Sequence, residues 1–120
     1  MSGIIVVEDD QLIRALLVEW LSAEGYAVRA YGHGDVLPPD DPDLLMIDVF
    51  MPRQGGWDKV RGVRATHPRT PMIAISGQFV AGLHSSDTAR ALGVRRVIGK
   101  PFSRGQLLRA VRDVIGSGGP

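Results

Sequence analysis

Short aliphatic runs, separated by helical patterns, are the feature that most limits what this chain can fold into. The runs at residues 4–7 (IIVV) and 44–48 (LLMID) are continuous rather than alternating, which is typical of strands buried on both faces. Further strands are predicted at residues 26–31, 70–77 and 94–101. Because strands alternate with helical segments along the chain, we predict an α/β domain with a parallel sheet covered by helices on both faces.

Four segments are predicted as helices, namely residues 11–25, 56–65, 80–92 and 103–116. The first ends at Gly25, a residue type common just after helix C-termini, and the last opens with a Ser103/Gln106 capping box. The third is polar and offers little apolar surface. The side chains predicted to pack from the first two helices are Leu12, Ile13, Leu16, Leu17, Trp20 and Leu21, followed by Trp57, Val60 and Val63.

The connection between the second and third strands is too rich in proline for a normal crossover helix. It reads GHGDVLPPDDPD, with prolines at positions 38, 39 and 42. Proline is excluded from helix interiors and restricts the residue before it, so at most one turn fits, around Asp35 to Leu37. We therefore expect a shortened or missing second helix.

Composition indicates one globular domain. The 120 residues are 44% hydrophobic, which is enough for one core, and the net charge of +1 gives no general attraction to nucleic acid or membrane. The chain has no cysteine, which excludes disulfides and cysteine zinc sites, and its basic residues include only two lysines, Lys59 and Lys100. The aliphatic runs are too short to span a membrane and no signal peptide is apparent, so a cytoplasmic location is expected. We assign residues 1–115 to the domain and residues 116–120 (GSGGP) to a flexible tail or linker.

Polar residues stand at the ends of four of the predicted strands. They are Glu8, Asp9 and Asp10 directly after the first aliphatic run, Asp48 at the end of the third strand, Ser76 and Gly77 at the end of the fourth, and Lys100 and Pro101 at the end of the fifth. Ligands of open parallel sheets bind beyond the carboxyl ends of the strands, so these residues are expected to meet. Carboxylates favour a hard divalent cation, and a carboxylate nucleophile beside an ammonium group and hydrogen-bond donors suits phosphoryl transfer.

The motifs VVEDD, LLMIDVFMP, AISG and GKPF, in this order, resemble those of the receiver domain of bacterial response regulators. The resemblance covers about residues 3–115 and implies a flavodoxin-like doubly wound sheet of five strands in the order 2-1-3-4-5. It implies that a histidine kinase or histidine phosphotransfer protein phosphorylates Asp48 with Mg²⁺ present. By the same resemblance, the metal ligands are Asp9, Asp48, the Phe50 carbonyl and, through water, Glu8. Ser76, the Gly77 amide and Lys100 then contact the phosphoryl group, and the Lys100–Pro101 bond is cis.

The chain departs from the family pattern at the position of its usual aromatic switch residue. Val97 stands there, and a valine has neither the ring nor the reach to turn inward, so activation is expected to couple to the surface differently. Ser76 replaces the commoner threonine but keeps the hydroxyl. Phe50 and Gln78 occupy positions where side chains of this family tune self-hydrolysis, and a bulky Phe50 predicts a long-lived acyl phosphate.

Simpler interpretations remain for single residues. Asp10 alone is explained as a cap of the first helix. The histidines, at positions 33, 67 and 84, have no partner at metal-ligand spacing and are expected at the surface. Six arginines toward the C-terminus form either solvated faces or a basic docking surface for a protein partner: Arg90, Arg95, Arg96, Arg104, Arg109 and Arg112.

Three functions are compatible with the sequence. The first is a phosphorylated signalling switch that acts through a downstream protein or a fused effector domain, with no direct binding to nucleic acid or membrane. The second is a module of the same fold that binds partners without phosphorylation. The third, a phosphoester hydrolase, usually has a second carboxylate two residues after the nucleophile, where this chain has Phe50. The switch is preferred, with no enzymatic activity beyond its own phosphorylation and slow dephosphorylation. The sequence leaves dimerisation on phosphorylation open.

Overall fold

The computed structural model describes residues 3–32, 37–49, 54–76 and 93–116. Within these ranges five strands form one parallel sheet in the order second, first, third, fourth and fifth along the chain, as expected. The strands are β1 (Gly3–Val7), β2 (Ala27–Tyr31), β3 (Leu44–Asp48), β4 (Met72–Ser76) and β5 (Arg96–Gly99). The helices are α1 (Gln11–Ala23), α2 (Gln54–Thr66) and α3 (Arg104–Ile115).

Each face of the sheet is covered by different helices. Successive strand residues point to opposite faces, so a continuous apolar run supplies both layers of the core. One layer packs α1 and α3 against the sheet, and its fully buried members are Ile4, Val6, Leu17, Leu21, Leu44, Met46, Ile73, Ile75, Leu107 and Val111. The other layer lies under α2 and includes Ile5, Val7, Leu45, Ile47, Val60 and Ala74. The sheet is thus anchored on both sides, which fixes the strand ends that carry the polar residues.

Local hydrogen bonds cap the starts of α1 and α3, as the sequence predicts. Asp10 Oδ1 accepts from the N–H groups of Leu12 and Ile13, at 2.9 and 3.1 Å, and so caps α1. The capping box of α3 is present in both directions, with N···O distances of 3.1 and 2.8 Å between Ser103 and Gln106. Gly25 follows the end of α1 with a φ of 93°, a conformation that glycine adopts without strain.

The predicted apolar stripe of α1 is too wide. Leu17 and Leu21 are fully buried, but Leu12 is 80% exposed and Leu16 is 42% exposed. Periodicity alone does not show how much of the stripe the sheet covers, and here only its centre is covered.

The expectation that the histidines lie at the surface is wrong for His67, which is 1% exposed. Its Nε2 lies 3.0 Å from the Pro38 carbonyl oxygen, and its Nδ1 lies 2.8 Å from Thr66 Oγ1. These partners satisfy both ring nitrogens, so the imidazole can be buried between the end of α2 and the proline-rich connection. The described residues of that connection, 32 and 37–43, contain no helix, and most of the turn expected around Asp35 to Leu37 lies outside the described residues.

Some predictions concern residues outside the described ranges. These are the polar helix at 80–92, the tail at 117–120, the residues Phe50, Gly77 and Gln78, and His33 and His84. Gly116, the first residue of the predicted tail, is described, and its carbonyl accepts a hydrogen bond of 2.6 Å from the Tyr26 hydroxyl. In the described part of the chain, no helix has the length and apolar character needed to cross a membrane.

Candidate functional site

The strand register brings the polar residues together at the carboxyl edge of the sheet. Val7 pairs with Ile47, so Glu8 follows beside Asp48. Asp48 in turn pairs with Ile75, and Ser76 pairs with Gly99, directly before Lys100. Backbone hydrogen bonds continue past the strands, with the Glu8 N–H donating to the Tyr31 carbonyl at 3.0 Å and the Lys100 N–H to the Ser76 carbonyl at 2.9 Å. The backbone of the site is therefore an extension of the sheet.

Two of the three acids after β1 belong to the site, and the third caps a helix. Glu8, Asp9 and Asp48 each offer a carboxylate oxygen, and the three oxygens lie within 4.8 Å of one another. Asp10 instead accepts backbone hydrogen bonds at the start of α1. The burial of the three clustered acids differs, because Glu8 is fully buried, Asp48 is half-buried and Asp9 is exposed. The cluster therefore has a closed side at Glu8 and an open side at Asp9.

Lys100 is the counter-charge that the sequence predicts. Its Nζ lies 3.0 Å from Asp48 Oδ1 and 3.2 Å from Glu8 Oε1, so one ammonium group bridges two carboxylates. The peptide bond between Lys100 and Pro101 is cis, in agreement with the family resemblance. The guanidinium of Arg14 also donates to the Glu8 carbonyl at 2.8 Å, which holds the buried end of the cluster.

Burial sets the proton affinities of the site. Burial raises the pKa of Glu8, the nearby charge of Asp48 raises it further, and Lys100 opposes both. Burial also raises the pKa of Asp48, against the stabilising hydrogen bond and charge of Lys100. Burial by itself would lower the pKa of Lys100, but its bonds to Asp48 and Glu8 together outweigh this and raise it. Burial is thus the largest cause of the raised pKa of both carboxyl groups, and Lys100 acts against it in each.

Lys59, on α2, is a site residue that the sequence reasoning missed. Its Nζ donates to the backbone carbonyl of Asp48 at 2.6 Å. Burial lowers the pKa of Lys59, against the opposing charges of Asp48, Asp9 and Glu8. The available signal was the scarcity of lysine, since both lysines of the chain lie at this one site.

The carboxylate cluster fits a hard divalent cation. Carboxylate oxygens are the ligands that Mg²⁺ and Ca²⁺ prefer. Glu8 Oε2 is buried and has no hydrogen-bond partner among the described residues. A buried carboxylate oxygen without a partner is costly, and a cation or its bound water in the cluster would satisfy it.

The remaining predicted site residues lie beside the cluster, in the core or outside the described residues. Ser76 is fully buried at the end of β4, next to the site. Val97 pairs with Ala74 and packs, partly buried, against the core layer under α2. The positions of Phe50 and Gly77 lie outside the described residues.

Part of the predicted basic surface is already paired within the chain. Arg96 forms an ion pair with Asp113. Arg112 and Arg104 both reach Glu24, at 2.7 and 3.5 Å. These arginines therefore offer less free positive charge to a partner than the sequence suggests.

The fold and the site define a doubly wound α/β domain with an acidic, lysine-bridged site at the carboxyl edge of its sheet. Residues 4–112 match the family described as the response regulator receiver domain, and the chain belongs to this family. The chain is similar to the transcriptional regulatory protein CpxR of Klebsiella pneumoniae, with 32% identity over 96% of this chain and 50% of the regulator. It is similar to the response regulator MprA of Mycobacterium avium, with 32% identity over 93% of this chain and 50% of the regulator.

A solved structure has the same fold along its whole length. The response regulator receiver protein from Burkholderia phymatum aligns with a TM-score of 0.77 and 30% identity, covering 100% of this chain and 99% of that one. In contrast, the chain spans about half the length of the two curated relatives above.

Proposed function

We propose that this receiver domain accepts a phosphoryl group on Asp48 and changes its protein contacts as a result. The observation that carries the proposal is the Lys100 ammonium, which contacts Asp48 at 3.0 Å and Glu8 at 3.2 Å within a cluster of three carboxylates. This arrangement puts a carboxylate nucleophile, metal ligands and a compact cation within reach of one phosphoryl group. The protein catalyses only its own phosphorylation and slow dephosphorylation, and we place this exchange in the cytoplasm.

In the proposed transfer, a carboxylate oxygen of Asp48 attacks the phosphorus of a phosphohistidine. A P–O bond forms, the P–N bond breaks, and the imidazole nitrogen keeps the electron pair and takes up a proton from solvent. The Lys100 ammonium then turns from Glu8 and Asp48 toward the phosphoryl oxygens. The Ser76 hydroxyl donates a hydrogen bond to one of these oxygens. Glu8, Asp9, Asp48 and the Phe50 carbonyl would hold Mg²⁺, which supplies neutralisation of the phosphoryl charge when bound.

The phosphodonor protein is proposed to dock beside the site, along the start of α1. A groove of about 360 Å³ lies there, lined by Ile13, Leu16, Trp20, Lys100, Pro101 and Phe102. The most exposed large apolar side chains of the described residues, Leu12 and Leu16, lie on the same helix. Because Lys100 belongs to both the groove and the site, a histidine-bearing helix seated on this surface brings its phosphoryl group close to Asp48.

The phosphorylated domain is proposed to signal through protein contacts. The target of the signal is either a separate protein or an effector domain fused to this one. The length of the two curated relatives, about twice that of this chain, is compatible with a fused effector domain. Val97 has no ring to rotate, so we propose that the signal reaches the surface by another rearrangement than an aromatic switch at this position.

The test is a mass measurement after incubation with acetyl phosphate and Mg²⁺. The proposal predicts one phosphoryl adduct on the wild-type chain, and none on Asp48→Asn or in a sample with excess chelator. A wild-type chain that binds Mg²⁺ but gains no adduct would contradict the proposal and favour a module that binds its partners without phosphorylation.

A further inference from the structure

Both lysines of the chain meet at Asp48, but they contact different parts of it. Lys100, after β5, pairs with the carboxylate of Asp48 at 3.0 Å. Lys59, on α2, donates to the backbone carbonyl of Asp48 at 2.6 Å. The chain uses arginine for its other basic positions. A lysine carries a compact, strongly hydrated point charge, which distinguishes these two positions from the arginine-bearing surface.

Lys59 lies in the electric field of the whole acidic cluster. The charges of Asp48, Asp9 and Glu8 all act on its ammonium group, and its side chain is half-buried, so solvent screens these charges only in part. The hydrogen bond to the Asp48 carbonyl fixes the ammonium at the end of β3, close to the position that a metal ion among the three carboxylates would take. Lys59 and a divalent cation therefore compete for the same negative charge.

We propose that Lys59 is a built-in cation of this site, which weakens metal binding to the resting domain and offsets the added charge once Asp48 is phosphorylated. This inference rests on the proposed function for its second half only. When all five groups are ionised, three carboxylates against two ammonium groups leave one net negative charge, and a divalent cation turns this into one net positive charge. Phosphorylation of Asp48 adds about one negative charge at neutral pH, so the loaded, phosphorylated site is close to neutral. The charge of Lys59 therefore stabilises the metal-bound site when Asp48 is phosphorylated and destabilises it when Asp48 is not.

The experiment is a calorimetric Mg²⁺ titration of the unphosphorylated protein and its variants. Lys59→Met removes the charge and the hydrogen bond, whereas Lys59→Gln removes the charge but keeps an N–H donor for the Asp48 carbonyl. Both variants are expected to bind Mg²⁺ more tightly than wild type, by about threefold to tenfold for the loss of one like charge at this range. The matched control is Arg61→Met, two residues further along α2, where the arginine is 64% exposed and pairs only loosely with Asp58 at 3.9 Å. Its Mg²⁺ affinity is expected to equal that of wild type.

Unchanged or weaker Mg²⁺ binding in Lys59→Gln overturns the inference, since Lys59 would then have no effect on Mg²⁺ affinity or would increase it. If Lys59→Met does not fold, as judged by circular dichroism, Lys59→Gln alone decides. The same samples are then treated with acetyl phosphate and weighed by mass spectrometry. A wild type without an adduct at Asp48 refutes the proposed function, while the titration still reports whether Lys59 opposes metal binding.

Discussion

Replacing Lys100 by methionine tests whether the site is held together by the charge of one ammonium group. Lys100→Met keeps most of the side-chain volume but leaves Glu8 and Asp48 without the cation that lies 3.2 and 3.0 Å from them. A hydrogen bond to a charged group contributes about 1.5–3 kcal/mol, and removing one partner of a buried pair leaves a costly unpaired charge. The Lys100 side chain is 21% exposed and its bonds are partly screened, so we expect a loss of about 2 kcal/mol in the free energy of unfolding.

The loss is expected to depend on pH. Lys100 lowers the pKa of both Glu8 and Asp48, so both pKa values rise further in the variant. In the variant, protonation of Glu8 and Asp48 at lower pH removes their unpaired charges. The difference in the free energy of unfolding between variant and wild type therefore becomes smaller as pH falls. The loss is therefore largest at neutral pH.

The assay is urea denaturation followed by circular dichroism, in chelator, at about pH 7 and about pH 5. Arg96→Met is the matched control, because it breaks an ion pair with Asp113 whose side chains are 50% and 43% exposed, and such a pair contributes at most about 1 kcal/mol. If Lys100→Met is as stable as wild type at neutral pH, or if its loss is the same at both pH values, the electrostatic account of the site is wrong.

Further predictions concern the acids, the metal and the core. In chelator, Asp48→Asn is expected to be more stable than wild type at neutral pH, because the raised pKa of Asp48 means that the native fold disfavours its charge. The gain in the free energy of unfolding is expected to shrink as pH falls, since wild-type Asp48 then takes up a proton. A gain that grows as pH falls would refute this prediction. Mg²⁺ at saturating concentration raises the melting temperature of wild type but not of Asp9→Asn, and equal shifts in differential scanning calorimetry would exclude Asp9 as a ligand. Asp10→Ala costs about 1 kcal/mol through the lost cap of α1 but leaves Mg²⁺ affinity unchanged; weakened binding would place Asp10 in the metal site instead. Leu107→Ala is expected to lower the free energy of unfolding in urea by about 2–5 kcal/mol, because Leu107 is fully buried between α3 and the sheet. The control Leu12→Ala, at an exposed position, is expected to lower it little, and similar losses in the two variants would refute the observed packing.

Features that depend on a strand's own residues could be predicted from the sequence. The continuous aliphatic runs at residues 4–7 and 44–48 form central strands, since a strand covered on both faces buries every side chain of such a run. Parallel pairing then places their carboxyl ends at one edge, so Glu8, Asp9, Asp48 and Lys100 meet without any further information. The helix caps at Asp10 and Ser103 were predictable for a similar reason, since the donor and acceptor lie within one turn.

Features that depend on the orientation of one element against another could not be predicted. Lys59 reaches Asp48 only because α2 packs with this side of its surface toward the end of β3, and the helical period does not fix that rotation for a polar side chain. His67 is buried because Pro38, 29 residues away, offers its carbonyl oxygen. The width of the buried stripe on α1 likewise depends on how far the helix lies across the sheet. Each of these is a tertiary contact without a local signal.

The position of the phosphoryl group on the chain is the most direct test of Asp48 as the phosphoacceptor. The protein is incubated with acetyl phosphate and Mg²⁺ and then reduced with borohydride, which converts an aspartyl phosphate to homoserine, and the peptides are sequenced by mass spectrometry. Phosphorylation of Asp48 predicts homoserine at position 48 and aspartate at positions 9 and 10. Homoserine at another aspartate, or unmodified Asp48 in a sample whose intact mass showed an adduct, would contradict it.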